Sequence, residues 1–425
     1  MRALRHSVRL SLTALLISAS IQGARAQLPN ANPAATGLSG AYTARARGYD
    51  AVAWNPANLG MPGNPGFSIS LLAVGGSSGL DPISLSDFAP YSGKTLPAAQ
   101  REQWLQTVTT KGGEHGRVDG GVTFLGLSAG PVALQVATSV AGSSTINPDA
   151  FEALMFGNAG RTGVPKNLNL AGSTLRVGAF TTAGASFGFS VGNAKAGSHL
   201  ALGVTGKYVL GNALVMAQDQ GSATSSNAVS VNFPMVFSQP DSDQVIGSGV
   251  GADVGLAWSR GKLSFGTTVQ NVFNTFAWDE TKLRSKAGSA LFSVDSTVKD
   301  FDNKPYASAP TALRARVTDD KFKPIVSAGF AYEASSLLIL SADGRQQVGD
   351  GIAIGPKTQV GGGVEFRGIP ALRLRGGASY ITDGWGVSGG VGLALGKYEL
   401  GVGAALRQVN GGKEPAVTIN VFSIR

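Results

Sequence analysis

The stretch "VGADVGLAWSR", Val250–Arg260, separates into two rows when every second residue is read together. One row is Val250, Ala252, Val254, Leu256 and Trp258; the other is Gly251, Asp253, Gly255, Ala257 and Ser259. Successive side chains of a β-strand point to opposite faces, so a period of two predicts a strand with one apolar face and one small or polar face. The pattern recurs. Leu200, Leu202, Val204, Gly206 and Tyr208 alternate with Ala201, Gly203, Thr205 and Lys207. Leu372, Leu374, Gly376, Ala378 and Tyr380 alternate with Arg373, Arg375, Gly377 and Ser379. Tyr398, Leu400, Val402, Ala404 and Leu406 alternate with Glu399, Gly401, Gly403, Ala405 and Arg407.

These segments are about 9–11 residues long, the length a tilted strand needs to cross a bilayer. Aromatics end several of the apolar rows (Tyr208, Trp258, Tyr380, Tyr398), where an interfacial girdle places them. A soluble sandwich would show shorter strands and bulkier inward residues. Strands are expected over 66–74, 117–126, 132–141, 173–190, 198–210, 249–259, 261–273, 324–334, 336–347, 358–367, 371–381, 386–396, 397–408 and 415–425. Short links follow the even strands, and most longer links follow the odd ones. An all-β transmembrane antiparallel β-barrel of about 14 strands, with both termini on the short-turn side, fits this alternation. The region 213–237 leaves counts of 12 or 16 open.

Composition agrees. Of 425 residues 60 are Gly, 14% are charged and none is Cys. Average chains carry about 25% charged residues and about 7% Gly. No stretch beyond the N-terminus approaches 18 apolar residues, so no membrane-spanning helix is expected there. Hydrophobic residues at 43% argue against disorder. Without Cys the chain has no disulfide staples and no thiol chemistry. Nucleic acid is not an expected partner, because no Lys/Arg run or interleaved aromatic patch is present.

Three segments are expected. Residues 1–26 form a signal peptide, with Arg2, Arg5 and Arg9 before an apolar run (Leu10 to Ile21) and Ala24-Arg25-Ala26 at the cleavage site. Residues 27–65 form an N-terminal plug or hatch, and 66–425 form the barrel. Two of the longer loops carry helix signals. Pro97 occupies an N1 position, with Trp104, Leu105 and Val108 on one face. Asn147-Pro148 caps a second helix, with Phe151, Leu154 and Met155 on one stripe and Gly157 closing it. These helices either shield the barrel mouth or present a hydrophobic platform to an incoming ligand.

The opening of the mature chain resembles FadL-type outer-membrane barrels, the transporters of long-chain fatty acids and hydrocarbons, with their PorV/PorQ-like relatives. The resemblance rests on Gly40-Ala41-Tyr42-Thr43-Ala44, Gly48-Tyr49-Asp50-Ala51 and Asn55-Pro56-Ala57-Asn58-Leu59. The hairpins "GADVGLAWSRGKLSFGTTVQNV" (Gly251–Val272) and "GGGVEFRGIPALRLRGGASY" (Gly361–Tyr380) look like the PorV-like branch. The resemblance implies a fourteen-stranded barrel in the bacterial outer membrane whose N-terminal segment folds inward. Gly40, Tyr42, Asp50, Asn55, Pro56 and Ala57 are then candidates for plug or gate. Asn-Pro also makes a turn in its own right, joining plug to first strand. Two features depart from the pattern. The chain ends Phe422-Ser423-Ile424-Arg425 rather than on an aromatic, and the 274–323 loop is charged.

On the strand register Asp253, Glu365, Arg367, Arg373, Arg375, Glu399 and Arg407 point inward. Buried charges must pair, so they are expected to form a network locking plug to wall, or else a polar path. The favoured function is passage of hydrophobic small molecules across the outer membrane. The alternative is a plugged, non-conducting barrel that holds or shuttles exported proteins. Enzyme activity is not expected: beyond the signal only His115 and His199 are available as bases, and neither sits in a nucleophile motif. No cofactor or metal is expected, since two separated His without Cys make a poor ligand set.

Overall fold

The computed structural model describes residues 31–157, 159, 161–191, 197–226, 228–239, 245–293, 297–352 and 354–424. The expected signal peptide lies outside the described residues. Among them, fourteen antiparallel strands form a closed meander. They are β1 (Phe67–Asp81), β2 (Glu114–Ala129), β3 (Val132–Ile146), β4 (Thr174–Ser190), β5 (Ser198–Gln218), β6 (Gly247–Arg260) and β7 (Leu263–Asn274). They continue as β8 (Ile325–Glu333), β9 (Leu338–Gln347), β10 (Thr358–Ile369), β11 (Leu372–Ile381), β12 (Gly384–Leu395), β13 (Tyr398–Val409) and β14 (Gly412–Ile424). Each strand pairs with the next, and β14 pairs with β1 through contacts such as Ser70 with Ser423. Closure leaves no open edge, which a bilayer requires because unpaired backbone groups find no water there.

The register is the one the alternation predicts. Asp253 and Ala257 are buried, whereas Val250 and Val254 are exposed. The exposed rows make a continuous apolar outer surface, far larger than a water-soluble monomer tolerates. Aromatics edge it at both ends. Tyr332, Tyr398 and Phe422 sit near the short-link end, and Tyr208, Tyr380 and Trp385 sit higher on the wall. The strands therefore cross a membrane, and the barrel is transmembrane.

At one end the links are short, such as Gly261-Lys262 and Gly396-Lys397. At the other, four links (82–113, 147–173, 219–246 and 275–324) carry structure of their own. The uncertain region 213–237 divides: β5 runs on to Gln218, beyond its pairing with β6, and there pairs with Met235–Ser238 instead. Ala223–Thr224, Ala228–Asn232, Ser289–Ser293 and Thr297–Asp300 make a separate four-stranded sheet.

The link 275–324 folds back over the barrel. Phe276, Trp278 and Phe322 pack on Phe180 of β4 with ring centroids 5.6, 5.4 and 4.8 Å away. Leu283, Leu313, Val317 and Ile352 complete this apolar core. Tyr306 and Leu313 bring in helix Thr311–Asp319 and the turn before it. Packed rings of this kind bury large apolar areas and anchor the link firmly.

Candidate functional site

Residues 31–61 run into the lumen, and 62–66 lead out along its short-link rim to β1, with Asn64 donating to the Gly130 carbonyl at 2.8 Å. Short helices α1 (Pro33–Gly37) and α2 (Ala51–Trp54) are joined by tight turns, with Asn32 capping α1 by accepting from the Ala35 N–H. Small residues let the segment coil on itself: Leu38, Ala41, Ala46 and Ala51 are fully buried, and Tyr42 meets Trp54 edge-on at 5.5 Å.

The wall makes room for it with glycine. A Cβ at Gly203 would lie 2.2 Å from the Ala57 nitrogen, one at Gly255 would lie 2.1 Å from Asn55 Oδ1, and one at Gly361 would lie 2.3 Å from the Ser39 carbonyl. No larger residue fits at these points without displacing the plug. The glycines supply the clearance.

The candidate plug residues all lie in this seam. Gly40, at φ +84°, sits against the Gln359 side chain, which donates to the Ser39 carbonyl at 2.8 Å. The Tyr42 and Thr43 N–H groups donate to Asp343 Oδ2 at 3.0 and 2.7 Å, and the Tyr42 hydroxyl donates to Asp50 at 3.0 Å. Asn55 donates to the Leu256 carbonyl at 3.0 Å and accepts from Ala57 N at 3.1 Å. The latter closes the turn that Pro56 begins. The Pro56 carbonyl and Ala57 nitrogen then lie against Gly188 and Gly203 of the wall.

The inward charges form three groups, not one network. Glu365 is the hub of the first. It pairs with Arg45 of the plug at 2.8 Å, Arg367 at 2.6 Å and Arg375 at 2.7 Å. Arg375 continues to Glu399 at 3.3 Å, which Arg373 meets at 3.4 Å. Asp253 belongs to the second group: it pairs with Lys207 at 2.6 Å and accepts from the Asn271 N–H at 2.6 Å. In the third, Arg407 pairs with Glu414 at 2.6 Å. Only the first group ties plug to wall through an ion pair, so the expectation of a single lock is corrected to one lock and two wall pairs. Reach explains the division, because each charge meets partners within about two strands of it or on the plug facing it. Arg45, Lys207, Glu414 and Asp343 were not singled out from the sequence; the inward parity of Lys207 and Asp343 was the available signal.

The platform candidates lie on two helices of the longer links, and their apolar stripes bear on the two readings left open, a shield or a platform. Trp104, Leu105 and Val108 lie on helix Ala98–Lys111, and Phe151, Leu154 and Met155 on helix Pro148–Phe156. Trp104, Leu105, Val108 and Phe151 are buried with Ile83, and Met155 packs beside them. Leu154 alone is left outside, at 69% exposure. The two stripes face each other and form a small core rather than a presented apolar surface. Pro97 is the cap preceding the first helix rather than its first residue. Beside this core Arg161 bonds Glu102 and holds the Glu102 carboxyl below the usual range. His115 meets Thr145 at 3.2 Å.

Solved structures with a similar fold include a TodX ΔS2S3 mutant, a monoaromatic hydrocarbon channel, at TM-score 0.51 and 12% identity over 88% of this chain and 94% of that one. A FadL homologue of Pseudomonas aeruginosa matches at TM-score 0.48 and 12% identity, over 95% of this chain and 99% of that one. At such identity the TodX likeness speaks for the barrel fold alone. No curated protein matches. Residues 55–344, more than half of the chain, match the family model described as F plasmid transfer operon, TraF, protein, and the chain belongs to that family.

Proposed function

We propose that the protein is a gated passage for small molecules in the bacterial outer membrane, with residues 31–66 as the gate. The observation that carries this reading is the chemistry of the seam. Plug and wall meet mainly through glycine contacts, hydrogen bonds and one ion-pair group, with a few small apolar contacts such as Ala57 and Met61 on Ala201 and Ala257. Water can replace each hydrogen bond at a net cost of about 0.5–1.5 kcal/mol. A filling meant never to move would be held by packed apolar side chains, as the link 275–324 is. The TodX protein is described as a channel for monoaromatic hydrocarbons, which supports a compact cargo with an apolar body. Because the platform residues bury one another, we place cargo selection inside the lumen.

The test is conductance in planar bilayers. Deleting residues 31–53 leaves the strand pairing and the apolar outer rows untouched, so the barrel should assemble and conduct ions well above the intact chain. Equal conductance from both proteins would overturn the gate.

A further inference from the structure

The plug does not fill the lumen completely. Between it and the link that joins β9 to β10 lies a cavity of about 230 Å³. Asn32, Ser39 and Trp54 of the plug line one side, and Ile354, Gly355 and Pro356 line the other. The wall between them is largely glycine, serine and alanine.

Three charged residues line this space: Asp119 of β2, Arg345 of β9 and Arg407 of β13. Two cations and one anion give 2 − 1 = +1 for the lining. Arg407 is already held by Glu414 at 2.6 Å. Asp119 accepts the Gly355 N–H. The Asp119 Oδ2 has no partner, and Arg345 is likewise incompletely met. Its Nη2 donates to the Ile354 carbonyl at 3.0 Å, its Nε has no partner, and among the described residues it makes no ion pair. The Trp54 indole N–H, on the plug side of the same cavity, has no partner either.

We propose that this cavity binds a small organic anion, a carboxylate on a compact apolar body, with Arg345 as its counter-ion. The proposal rests on the reading of the lumen as a passage and names what the passage selects. A guanidinium withdrawn from water is costly unless an anion meets it. Its planar fork matches the two oxygens of a carboxylate. A cation would have Asp119 to meet on the lining but would leave Arg345 without a counter-ion, as it is now. A bare hydrocarbon would leave Arg345 as unpaired as it is now. Ala53, Trp54, Val387, Ala405 and Ala416 supply apolar lining for the body of the ligand. Size sets the rest. The volume falls below the roughly 300–1,000 Å³ of ordinary small-molecule pockets, which suits a single ring and not a long chain.

Equilibrium dialysis of the full chain in detergent, with benzoate, toluene and benzylammonium as probes, tests this. Benzoate should bind saturably and at least tenfold tighter than either of the others. Arg345→Gln should weaken benzoate at least tenfold and leave toluene unchanged. Ala405→Phe, which fills the cavity and keeps the charge, should abolish benzoate binding, and it stands as the test if Arg345→Gln fails to assemble. Absence of saturable benzoate binding, toluene binding as tight as benzoate, or full binding by an assembled variant would each overturn the proposal. The gate is read separately by conductance. A chain that opens on plug deletion but ignores benzoate loses only the ligand assignment, and one that binds benzoate but never opens loses only the gate.

Discussion

The plug sits in the lumen and the link 275–324 folds over the long-link end, and the two are held mainly by different means. The link inserts Phe276, Trp278 and Phe322 against Phe180 and is fixed by apolar packing. The plug offers backbone and small polar groups: Thr36 to Thr418 at 2.8 Å, Ser39 to Ser388 at 2.7 Å, Tyr42 N to Asp343 at 3.0 Å. Opening the first would expose apolar surface at about 25 cal/mol per Å². Opening the second exchanges protein hydrogen bonds for water ones. On the proposed reading one filling is built to stay and the other is able to leave.

The largest effect should come from attacking the fixed side. Phe276→Ala removes the ring that meets Phe180, Trp278 and Phe322, and should cost about 3–5 kcal/mol in stability of the folded link. Limited proteolysis should then cut within 275–324 while the barrel stays heat-modifiable. If the link resists protease as before, it is not held by this cluster.

Next comes a pair of neighbours on β6. Val254→Arg puts a charge into lipid and should cost about 2–4 kcal/mol near the midplane, read as lost barrel assembly in a folding titration. Gly255→Arg points inward, where even a Cβ meets Asn55. It should assemble and leak, with raised conductance, because the plug must yield. Reversed outcomes would mean that the inside and outside of the wall are exchanged.

A smaller effect is expected at the hub. Glu365→Gln keeps the volume but strips the charge facing Arg45, Arg367 and Arg375. Conductance should rise above that of the unmodified chain and stay below that of the plug deletion, since hydrogen bonds elsewhere in the seam remain. No change at all would assign the group to the wall alone. Smallest of all, Leu154→Ser should shift stability by no more than about 0.5 kcal/mol, because its side chain lies outside the core its neighbours make. A large loss there would show that Leu154 has a partner.

These substitutions also mark what the sequence makes legible. Val254 and Asp253 could be assigned to opposite faces because parity along a strand is a local property. The fourteen strands and the short-link end followed from the same parity together with turn residues. Partnership is different: Lys207 and Asn271 meet Asp253 from β5 and β7, and Arg45 reaches Glu365 across 320 positions, so no local signal marks them. The helix stripes were visible, but a stripe says only that something apolar faces it. Trp104 and Phe151 face each other. The length of β5 was obscured for another reason: beyond the membrane its partner is a short loop strand, and the period-two contrast between lipid and lumen no longer applies there.

The glycine-lined wall has a consequence for the order in which the molecule is made. The plug is among the first parts of the described chain to be synthesised, yet the surfaces it fits are spread around the wall from β1 to β14, including Gly126, Gly203, Gly255, Gly361, Gly403 and Thr418. Its bonds to Asp343 and Ser388 span 301 and 349 residues. Contacts of such separation form late, because the entropy of bringing the ends together must be met before they contribute. The plug must therefore wait, unsatisfied, until nearly the whole wall exists. Glycine-rich strands have little side-chain packing of their own to hold their curvature in the meantime, and the wall gains its inner support only when the plug arrives. A segment made early is among the last to find its place, and the barrel is finished from the inside.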